Sequence, residues 1–151
     1  RSHFEALATH ALVRSQRDGT PVTLLLCDVD HFKRVNDEHG HAVGDEVLVE
    51  VARTLSRNLR EGDVLARWGG EEFLALMPAA GPDAAMATAE RIRAAVSQTP
   101  LEVGQGASVG VTLSFGVAQV HGAEDLQPAT ARADKALYQS KHAGRNRVSW
   151  G

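Results

Sequence analysis

Residues 67–73 read Arg67-Trp68-Gly69-Gly70-Glu71-Glu72-Phe73, and this stretch decides the fold. Apolar runs lie on both sides of it, at residues 64–66 and 73–77, and each is typical of a β-strand. The two glycines predict a tight hairpin turn, because primed turns need a positive φ that glycine adopts without strain. Two adjacent carboxylates, Glu71 and Glu72, then open the second strand. Like charges side by side repel, so the sequence predicts a compensating cation here, and a metal ion is the simplest candidate.

The composition is that of one globular α/β domain. The chain has 151 residues, 43% of them hydrophobic, which is enough for a single buried core. A net charge of −3 and the lack of a lysine- or arginine-rich block argue against nucleic-acid binding. Cys27 has no partner for a disulfide and lies in an apolar run, so we expect a buried thiol. No stretch is long enough to span a membrane and no signal peptide is present, which predicts a cytoplasmic fragment.

Periodicity along the chain predicts a sheet with helices packed against it. The expected helices are at residues 3–17, 31–38, 43–60, 84–97 and 127–141, and the expected strands are at residues 22–30, 64–66, 73–77, 111–118 and 147–150. Asp83 is the expected N-cap of the fourth helix, and Gly104-Gln105-Gly106 interrupts a weak strand region. Two hairpin strands beside a βαβ-like pattern indicate a ferredoxin-like α/β (α+β) fold with a mixed, mostly antiparallel sheet. One domain is expected over residues 1–151.

Four carboxylates end or begin strands that we expect to be neighbours: Asp28, Asp30, Glu71 and Glu72. Hard oxygen ligands at two strand ends suit Mg²⁺ bound together with substrate phosphates, because Mg²⁺ keeps few protein ligands. Two such ions about 3.5–4 Å apart would activate a hydroxyl nucleophile and stabilise the leaving phosphate oxygen. For Asp30, capping the following helix is an equally good interpretation. Solvent exposure of Glu71 or Glu72 is a further alternative. A metal role is favoured for Asp28 and Glu71, because neither has an evident cation in the sequence.

A phosphate-binding region is predicted beside these carboxylates. The turn into the helix at Phe32 and Lys33 would aim backbone N–H groups at an anion, and Lys33 would add a point charge. Lys141 and Arg145, on either side of the helix end at Gly144, are further candidates. Each of these cations could instead be a solvated surface residue, and spacing alone leaves that alternative open.

Two polar residues are candidates for reading a guanine base. The amide of Asn36 can donate to guanine O6 or N7, and the carboxylate of Asp45 can accept from N1–H and the exocyclic amine. Adenine offers no such donor pair, so this combination would select guanine. The alternative from spacing alone is an asparagine on a helix surface and an aspartate that caps a helix.

Five motifs in order resemble one family, the GGDEF domain of the diguanylate cyclases. Its signature is similar to residues 69–73, in the GGEEF form. Its D-x-D-x-F-K-x-x-N-D segment is similar to residues 28–37, and Gly40-His41 and Gly44-Asp45 follow at the family's spacing. Residues 113–118 and 133–146 fit as well. The resemblance therefore covers nearly the whole chain.

The resemblance implies a palm-like domain similar to nucleotidyl cyclases and polymerases. It implies condensation of two GTP into cyclic di-GMP with release of pyrophosphate, a nucleotidyltransferase reaction of bacterial signalling. Each active site would hold two Mg²⁺ ions, with Mn²⁺ as the alternative ion. Each domain would bind one GTP, and two domains would meet face to face as a homodimer. Cyclic di-GMP would be both product and inhibitor.

The resemblance also implies roles for the residues at the metal. Asp28, the Val29 carbonyl and Glu71 would hold Mg²⁺, and Glu72 would assist there. Glu71 would also accept the proton of the attacking 3′-hydroxyl. Lys33 would stabilise charge on the phosphates in the transition state.

The remaining family positions would bind the nucleotide. Lys141 and Arg145 would be further phosphate contacts, and Gly69 and Gly70 would leave room for the nucleotide against the hairpin backbone. The remaining pair, Asn36 and Asp45, would read guanine. Some relatives that accept ATP lack the aspartate at that point, so its presence favours GTP.

Residues 60–63, Arg-Glu-Gly-Asp, are similar to the family's RxxD inhibitory site, with five residues between them and the double glycine. About one match to the RxxD pattern would arise by chance in a chain of this composition, and residues 34–37 are a second match. The match at residues 60–63 is specific because of its position relative to the double glycine. An arginine fork can bind guanine O6 and N7 or phosphate while Asp63 accepts from N1–H. Arg91 is a candidate to complete this site. We therefore expect product feedback inhibition.

One part of the family pattern is missing at the beginning of the chain. The family usually begins with D-x-L-T-G-L-x-N-R, and only Arg1 could be its remnant. We therefore expect an N-terminally truncated domain, separated from an upstream sensory domain and less active than its parent.

Two other functions stay open. The first is a non-catalytic receptor that binds cyclic di-GMP at Arg60 and Asp63. Such relatives usually lose the Gly-Gly-Glu-Glu motif or the metal aspartate, and this sequence keeps both. The second is a different nucleotidyl cyclase or a polymerase-like enzyme, which the pair Asn36 and Asp45 disfavours.

Overall fold

The computed structural model describes residues 2–104, 106–121 and 126–151. Within them, five helices and seven strands follow one another along the chain. The helices are α1 (Ser2–Asp18), α2 (Phe32–His39), α3 (His41–Asn58), α4 (Pro82–Gln98) and α5 (Leu126–His142). The strands are β1 (Val22–Val29), β2 (Val64–Arg67), β3 (Glu72–Pro78), β4 (Leu101–Val103), β5 (Ala107–Val109), β6 (Leu113–Val120) and β7 (Val148–Trp150).

Five of the strands form the central sheet, in the order β2-β3-β1-β6-β7. β1 lies in the middle and pairs antiparallel with both β3 and β6, while β7 pairs parallel with β6 at one edge. The four strands β1, β2, β3 and β6, with helices in the two connections, have the ferredoxin-like arrangement. The predicted mixed, mostly antiparallel sheet is confirmed.

Helices cover both faces of β1, which explains its nearly continuous apolar run. Leu25, Cys27 and Val29 belong to the core under α3 and α4. The intervening Leu24 and Leu26 belong to the core under α1 and α5. Cys27 is fully buried, as expected, and burial raises the pKa of its thiol far above the usual range. Because side chains alternate along a strand, Asp28 follows the leucines on the face that α5 covers.

α5 lies close against β6 because Gly116 has no side chain. A Cβ at Gly116 would stand 2.0 Å from the Ala133 carbonyl oxygen and 2.4 Å from the Leu137 nitrogen. One turn later, Ser140 Oγ donates to the Phe115 carbonyl at 2.8 Å. These contacts fix the last turn of α5 against the sheet, and that turn carries Lys141.

Some local predictions need correction. α4 begins at Pro82 with Gly81 as its N-cap, so Asp83 lies in the first turn and is not the cap. Proline is favoured at this first position, because its missing N–H would be unpaired there in any case. The weak strand region is a separate two-stranded sheet, β4 with β5. The glycine-rich interruption within it includes residue 105, which lies outside the described residues. Across the described residues, no helix combines the length and apolar character that a membrane crossing needs.

Candidate active site

The end of β1 and the start of β3 bring the predicted metal ligands to one place. Asp28 stands opposite Glu72 in the β1–β3 register. One residue further, the Val29 N–H donates to the Glu71 carbonyl at 3.2 Å. Four residues from two distant segments are therefore direct backbone neighbours, as the prediction of adjacent strand ends requires.

Asp28 has a cation partner that its sequence neighbours do not indicate. Lys141 Nζ donates to Asp28 Oδ2 at 2.6 Å, although 113 residues separate the two in the chain. The Asp28 side chain is 8% exposed and the Lys141 side chain is 32% exposed. Asp28 thus has a protein cation that is not evident from the sequence, and Lys141, expected at a phosphate, is paired with a carboxylate here.

Negative charge exceeds positive charge around this ion pair. Burial raises the pKa of Asp28 more than its hydrogen bond to Lys141 lowers it. Burial also raises the pKa of Glu71, and the charge of Asp28 raises it further. Burial alone would lower the pKa of Lys141, but the hydrogen bond to Asp28 and the charges of Asp28, Glu72 and Glu71 raise it above its usual value.

A divalent cation fits this donor set chemically. The carboxylates of Asp28 and Glu71 repel each other, and a metal ion between them would remove that repulsion. Across the described ranges, no group of three or more His, Cys, Asp or Glu side chains is arranged to hold a metal ion. Two carboxylates and a backbone carbonyl would be enough protein ligands for Mg²⁺, because this ion takes its other ligands from phosphates and water. Such a site agrees with the repulsion between the carboxylates and with the lack of a larger ligand cluster in the described ranges.

The start of α2 leaves its first N–H groups without a side-chain cap. His31 is the N-cap, in a left-handed conformation with φ 56°, and makes no capping hydrogen bond through its side chain. Asp30 does not cap the helix, so that interpretation is wrong. Its buried carboxylate accepts hydrogen bonds elsewhere, from Thr112, Ser114 and Asn146. Lys33, the predicted phosphate ligand, is exposed in the first turn of α2.

The two predicted guanine readers lie on adjoining helices that meet at a glycine. Asn36 Oδ1 is buried and has no hydrogen-bond partner. A Cβ on Gly44 would stand 1.9 Å from that oxygen and 3.3 Å from Phe32 Cζ. Asp45 follows Gly44 and is exposed in α3. The helix begins at His41 with Gly40 as its N-cap, so the alternative that Asp45 caps it is wrong.

The phosphate candidate Arg145 lies on a loop of left-handed residues after α5. Gly144, Arg145 and Asn146 have φ values of 121°, 62° and 49°. The positive charge of Arg145 reaches the metal site, because it acts to lower the pKa of Asp28. The role of Arg145 at a phosphate stays a prediction.

The Gly-Gly turn differs from the expected primed hairpin. Neither Gly69 nor Gly70 has φ in the left-handed region. Pairing ends at Arg67 with Phe73, and the Trp68 N–H then donates to the Glu72 carbonyl at 2.8 Å. Gly69 instead avoids a close contact, because a Cβ there would stand 2.9 Å from Glu72 Oε2. A Cβ at Gly70 would meet nothing within 4 Å.

The predicted inhibitory residues line one surface cavity of about 330 Å³. Asp63 Oδ2 accepts from the Arg60 N–H at 2.7 Å, and the Asp63 side chain is only 2% exposed. Arg60 also donates to the Pro78 carbonyl at 3.1 Å. Arg91, on α4, donates to Asn58 Oδ1 at 2.9 Å and so faces the same cavity.

A family model described as "Diguanylate cyclase, GGDEF domain" matches residues 1–147. The chain belongs to the GGDEF domain family. It is similar to the diguanylate cyclase DgcP of Pseudomonas aeruginosa, with 42% identity over 137 residues, 91% of this chain and 20% of that protein. It is also similar to the diguanylate cyclase DosC of Escherichia coli, with 40% identity over 148 residues, 98% of this chain and 32% of that protein. The chain thus spans a fifth to a third of the length of these curated relatives.

A solved structure of the same family supports the fold. The GGDEF domain of DgcB from Caulobacter crescentus, in complex with c-di-GMP, is 36% identical and superposes with a TM-score of 0.92. The match covers 99% of this chain and 89% of that chain. The palm-like architecture that the resemblance implies is therefore confirmed for this GGDEF domain.

Two features of this GGDEF domain have no clear signal in the sequence. The first is the hydrogen-bonded Asp30, whose partners are 82, 84 and 116 residues away. The second is Arg93 on α4, which donates to Asn146 Oδ1 at 2.8 Å in the left-handed loop. Local patterns do not reveal contacts over such separations.

Proposed function

We propose that this domain is a diguanylate cyclase that converts two GTP into cyclic di-GMP and two pyrophosphates. The excess of carboxylates at Asp28 and Glu71, beside Lys141 as cation, carries the proposal. A site of this kind attracts a divalent ion and, through it, a triphosphate. The named diguanylate cyclases among its relatives support the same reaction.

The reaction is two equivalent phosphoryl transfers. In each, the 3′-oxygen of one GTP forms a bond to the α-phosphorus of the other, and the bond from that phosphorus to the bridging oxygen of pyrophosphate breaks. Glu71 accepts the proton of the 3′-hydroxyl. In the metal-free protein, burial and the charge of Asp28 raise the pKa of Glu71, so this carboxylate already favours binding a cation or a proton.

Residues around the carboxylates hold the triphosphate. When bound, two Mg²⁺ ions at Asp28, the Val29 carbonyl, Glu71 and Glu72 would neutralise the phosphates and lower the pKa of the attacking hydroxyl. The side chains of Lys33, Lys141 and Arg145 and the first N–H groups of α2 bind the phosphate oxygens.

Lys141 changes partner during this cycle. In the absence of a metal it compensates the charge of Asp28 through their 2.6 Å contact. A metal ion at Asp28 would compensate that charge instead, which would leave the Lys141 ammonium group available to the phosphates. Lysine suits this change, because its ammonium group is a point charge on a flexible stem.

Asn36 and Asp45 select guanine. The unbonded, buried Asn36 Oδ1 supports a role in binding, because an amide oxygen without a partner costs free energy that a ligand can recover. The Asn36 amide would donate to guanine O6 or N7, and Asp45 would accept from guanine N1–H and the exocyclic amine, a donor pair that adenine lacks.

One domain provides half of the catalytic assembly. Each domain binds one GTP, and two copies meet face to face so that each 3′-hydroxyl lies opposite the partner's α-phosphate. Turnover should therefore rise more steeply than linearly with protein concentration, while a monomeric enzyme would show a constant specific activity.

Arg60, Asp63 and Arg91 form an inhibitory site for the product. The shared cavity supports this role, since Arg60, Asp63 and Arg91 all line it. Guanidinium forks bind guanine O6 and N7 or phosphate, and Asp63 accepts from guanine N1–H. We expect Arg60→Ala to retain turnover and to need at least tenfold more cyclic di-GMP for half-inhibition. Arg57→Ala, an exposed arginine of α3, is the control, and equal inhibition of both variants would refute the site.

The alternative is a silent receptor that binds cyclic di-GMP at this cavity without turnover. One experiment separates the two functions. The chain is incubated with GTP and Mg²⁺ and the nucleotides are separated by chromatography, with Glu71→Gln as the inactive variant and Glu38→Gln, exposed on α2, as the matched control. The cyclase is supported if wild type and Glu38→Gln form a cyclic dinucleotide and Glu71→Gln forms none. Binding of cyclic di-GMP with no product at high protein concentration supports the receptor.

A further inference from the structure

Asp30 is a buried carboxylate with three hydrogen bonds. It is 5% exposed. Its Oδ1 accepts from Ser114 Oγ at 2.7 Å, and its Oδ2 accepts from Thr112 Oγ1 at 2.7 Å and from the Asn146 N–H at 3.0 Å. Most of its acceptor capacity is therefore used inside the protein, which distinguishes it from Asp28 two residues earlier.

The hydrogen bond from Asn146 to Asp30 holds a loop of unusual conformation. Gly144, Arg145 and Asn146 are all left-handed, and two of them carry a side chain. Left-handed backbone costs free energy in residues other than glycine, so it persists only where the surroundings enforce it. Asp30, directly after the central strand β1, provides such a constraint.

The same loop is held from two other elements. The Arg145 N–H donates to the Ser140 carbonyl at 2.9 Å, which ties the loop to the end of α5. Arg93 of α4 donates to Asn146 Oδ1 at 2.8 Å and is itself bonded to Glu90. Asn146 is thus held through its backbone by Asp30 and through its side chain by Arg93, with Arg145 directly before it.

On the basis of the proposed function, we propose that Asp30 is a positioning residue for the reaction. By accepting the Asn146 N–H it fixes the left-handed loop and sets the Arg145 guanidinium against the substrate phosphates. The two aspartates of the strand end then have different tasks: Asp28 meets the metal, and Asp30 holds the loop that carries a phosphate ligand. The charge of Arg145 already reaches Asp28, which agrees with a place beside the triphosphate.

A double-mutant cycle tests whether Asp30 acts through Arg145. Asp30→Asn keeps the shape of the side chain but replaces one acceptor oxygen by a donor group. We expect it to lower kcat/KM for GTP about tenfold in the wild-type chain and to have no further effect in an Arg145→Ala chain. The Mg²⁺ concentration for half-maximal rate should stay within about twofold of wild type, whereas Asp28→Asn should raise it strongly. Asp83→Asn, exposed on α4, is the matched control.

Thr112→Val keeps the test valid if Asp30→Asn does not fold. It removes one donor to Oδ2 and nearly preserves volume, so we expect a loss of about threefold that again vanishes in the Arg145→Ala chain. The proposal is overturned if Asp30→Asn or Thr112→Val lowers kcat/KM as much in the Arg145→Ala chain as in the wild-type chain. It is also overturned if either variant raises the required Mg²⁺ concentration as Asp28→Asn does. A wild-type chain that forms no product refutes the proposed function instead. In that case the wild-type, Asp30→Asn, Arg145→Ala and double-variant chains are compared for GTP binding by calorimetry. Additive losses of binding free energy from the two substitutions would overturn the role of Asp30.

Discussion

Lys141 Nζ lies 2.6 Å from Asp28 Oδ2, and this contact joins the end of α5 to the end of β1. Two independent packing features make it possible. Gly116 allows α5 to approach β6, and the alternation of β1 turns Asp28 toward that helix. The two members of this ion pair therefore come from opposite ends of the chain.

Replacing Lys141 should reduce turnover and increase the stabilising effect of Mg²⁺. Lys141→Met leaves Asp28 without its ion-pair partner and removes a proposed phosphate ligand. We expect kcat/KM to fall about 100-fold. We also expect Mg²⁺ to raise the Tm of the variant more than that of wild type, because the metal then compensates a carboxylate that has lost its ion-pair partner. Turnover assays and thermal unfolding with and without Mg²⁺ measure both.

Lys135→Met is the matched control for this prediction, because Lys135 is exposed on the same helix. Wild-type kinetics and an unchanged response to Mg²⁺ are expected for it. Should Lys141→Met behave like Lys135→Met, the ion pair with Asp28 would have no part in catalysis or in metal binding.

Neutralising Glu71 should stabilise the metal-free protein at neutral pH. Burial and the charge of Asp28 raise the pKa of Glu71 above its usual value, so folding favours its protonated form. The stability that this group contributes is present below its unfolded pKa and is lost as pH rises through the higher folded pKa. Glu71→Gln should therefore have a higher Tm than wild type at pH 8 in EDTA, and the difference should vanish near pH 4.

Glu90→Gln provides a control of opposite sign. The hydrogen bond from Arg93 lowers the pKa of Glu90, so the charged form is favoured by folding. Glu90→Gln should lose a little stability at pH 8, and the loss should fade as pH falls through the folded pKa. If the Tm difference from wild type changed with pH in the same direction for both variants, the assigned repulsion between Glu71 and Asp28 would be contradicted.

The element order and the sheet were predictable because they depend on local periodicity. The apolar run of β1, the helical stripes and the glycines that end helices are all visible within short windows of sequence. The partners of Asp28 and Asp30 were not predictable from these windows, because they lie 82 to 116 residues away and depend on how α5 packs on β6. The turn at Gly69 and Gly70 was misjudged for a related reason. Gly69 avoids contact with Glu72 and Gly70 faces open space, and no backbone propensity encodes either feature.

Adding a methyl group at Gly44 should impair guanine recognition. Its Cβ would stand 1.9 Å from Asn36 Oδ1, so the amide must move. We expect Gly44→Ala to raise KM for GTP about tenfold, the value of one hydrogen bond, with kcat reduced much less. Selectivity for GTP over ATP should fall in parallel. Gly110→Ala is the control, because a Cβ there meets nothing within 4 Å and its φ is not left-handed.

The two glycines of the turn should respond differently to alanine. A Cβ on Gly69 would crowd Glu72 Oε2 at 2.9 Å, so Gly69→Ala should displace that carboxylate and raise the Mg²⁺ concentration needed for half-maximal rate. A Cβ on Gly70 meets no protein atom within 4 Å, so Gly70→Ala should leave the Tm unchanged. If the open space at Gly70 receives the nucleotide, Gly70→Ala should still raise KM for GTP, by about tenfold. An unchanged KM in Gly70→Ala, together with an unchanged Mg²⁺ requirement in Gly69→Ala, would place the nucleotide and the metal away from this turn.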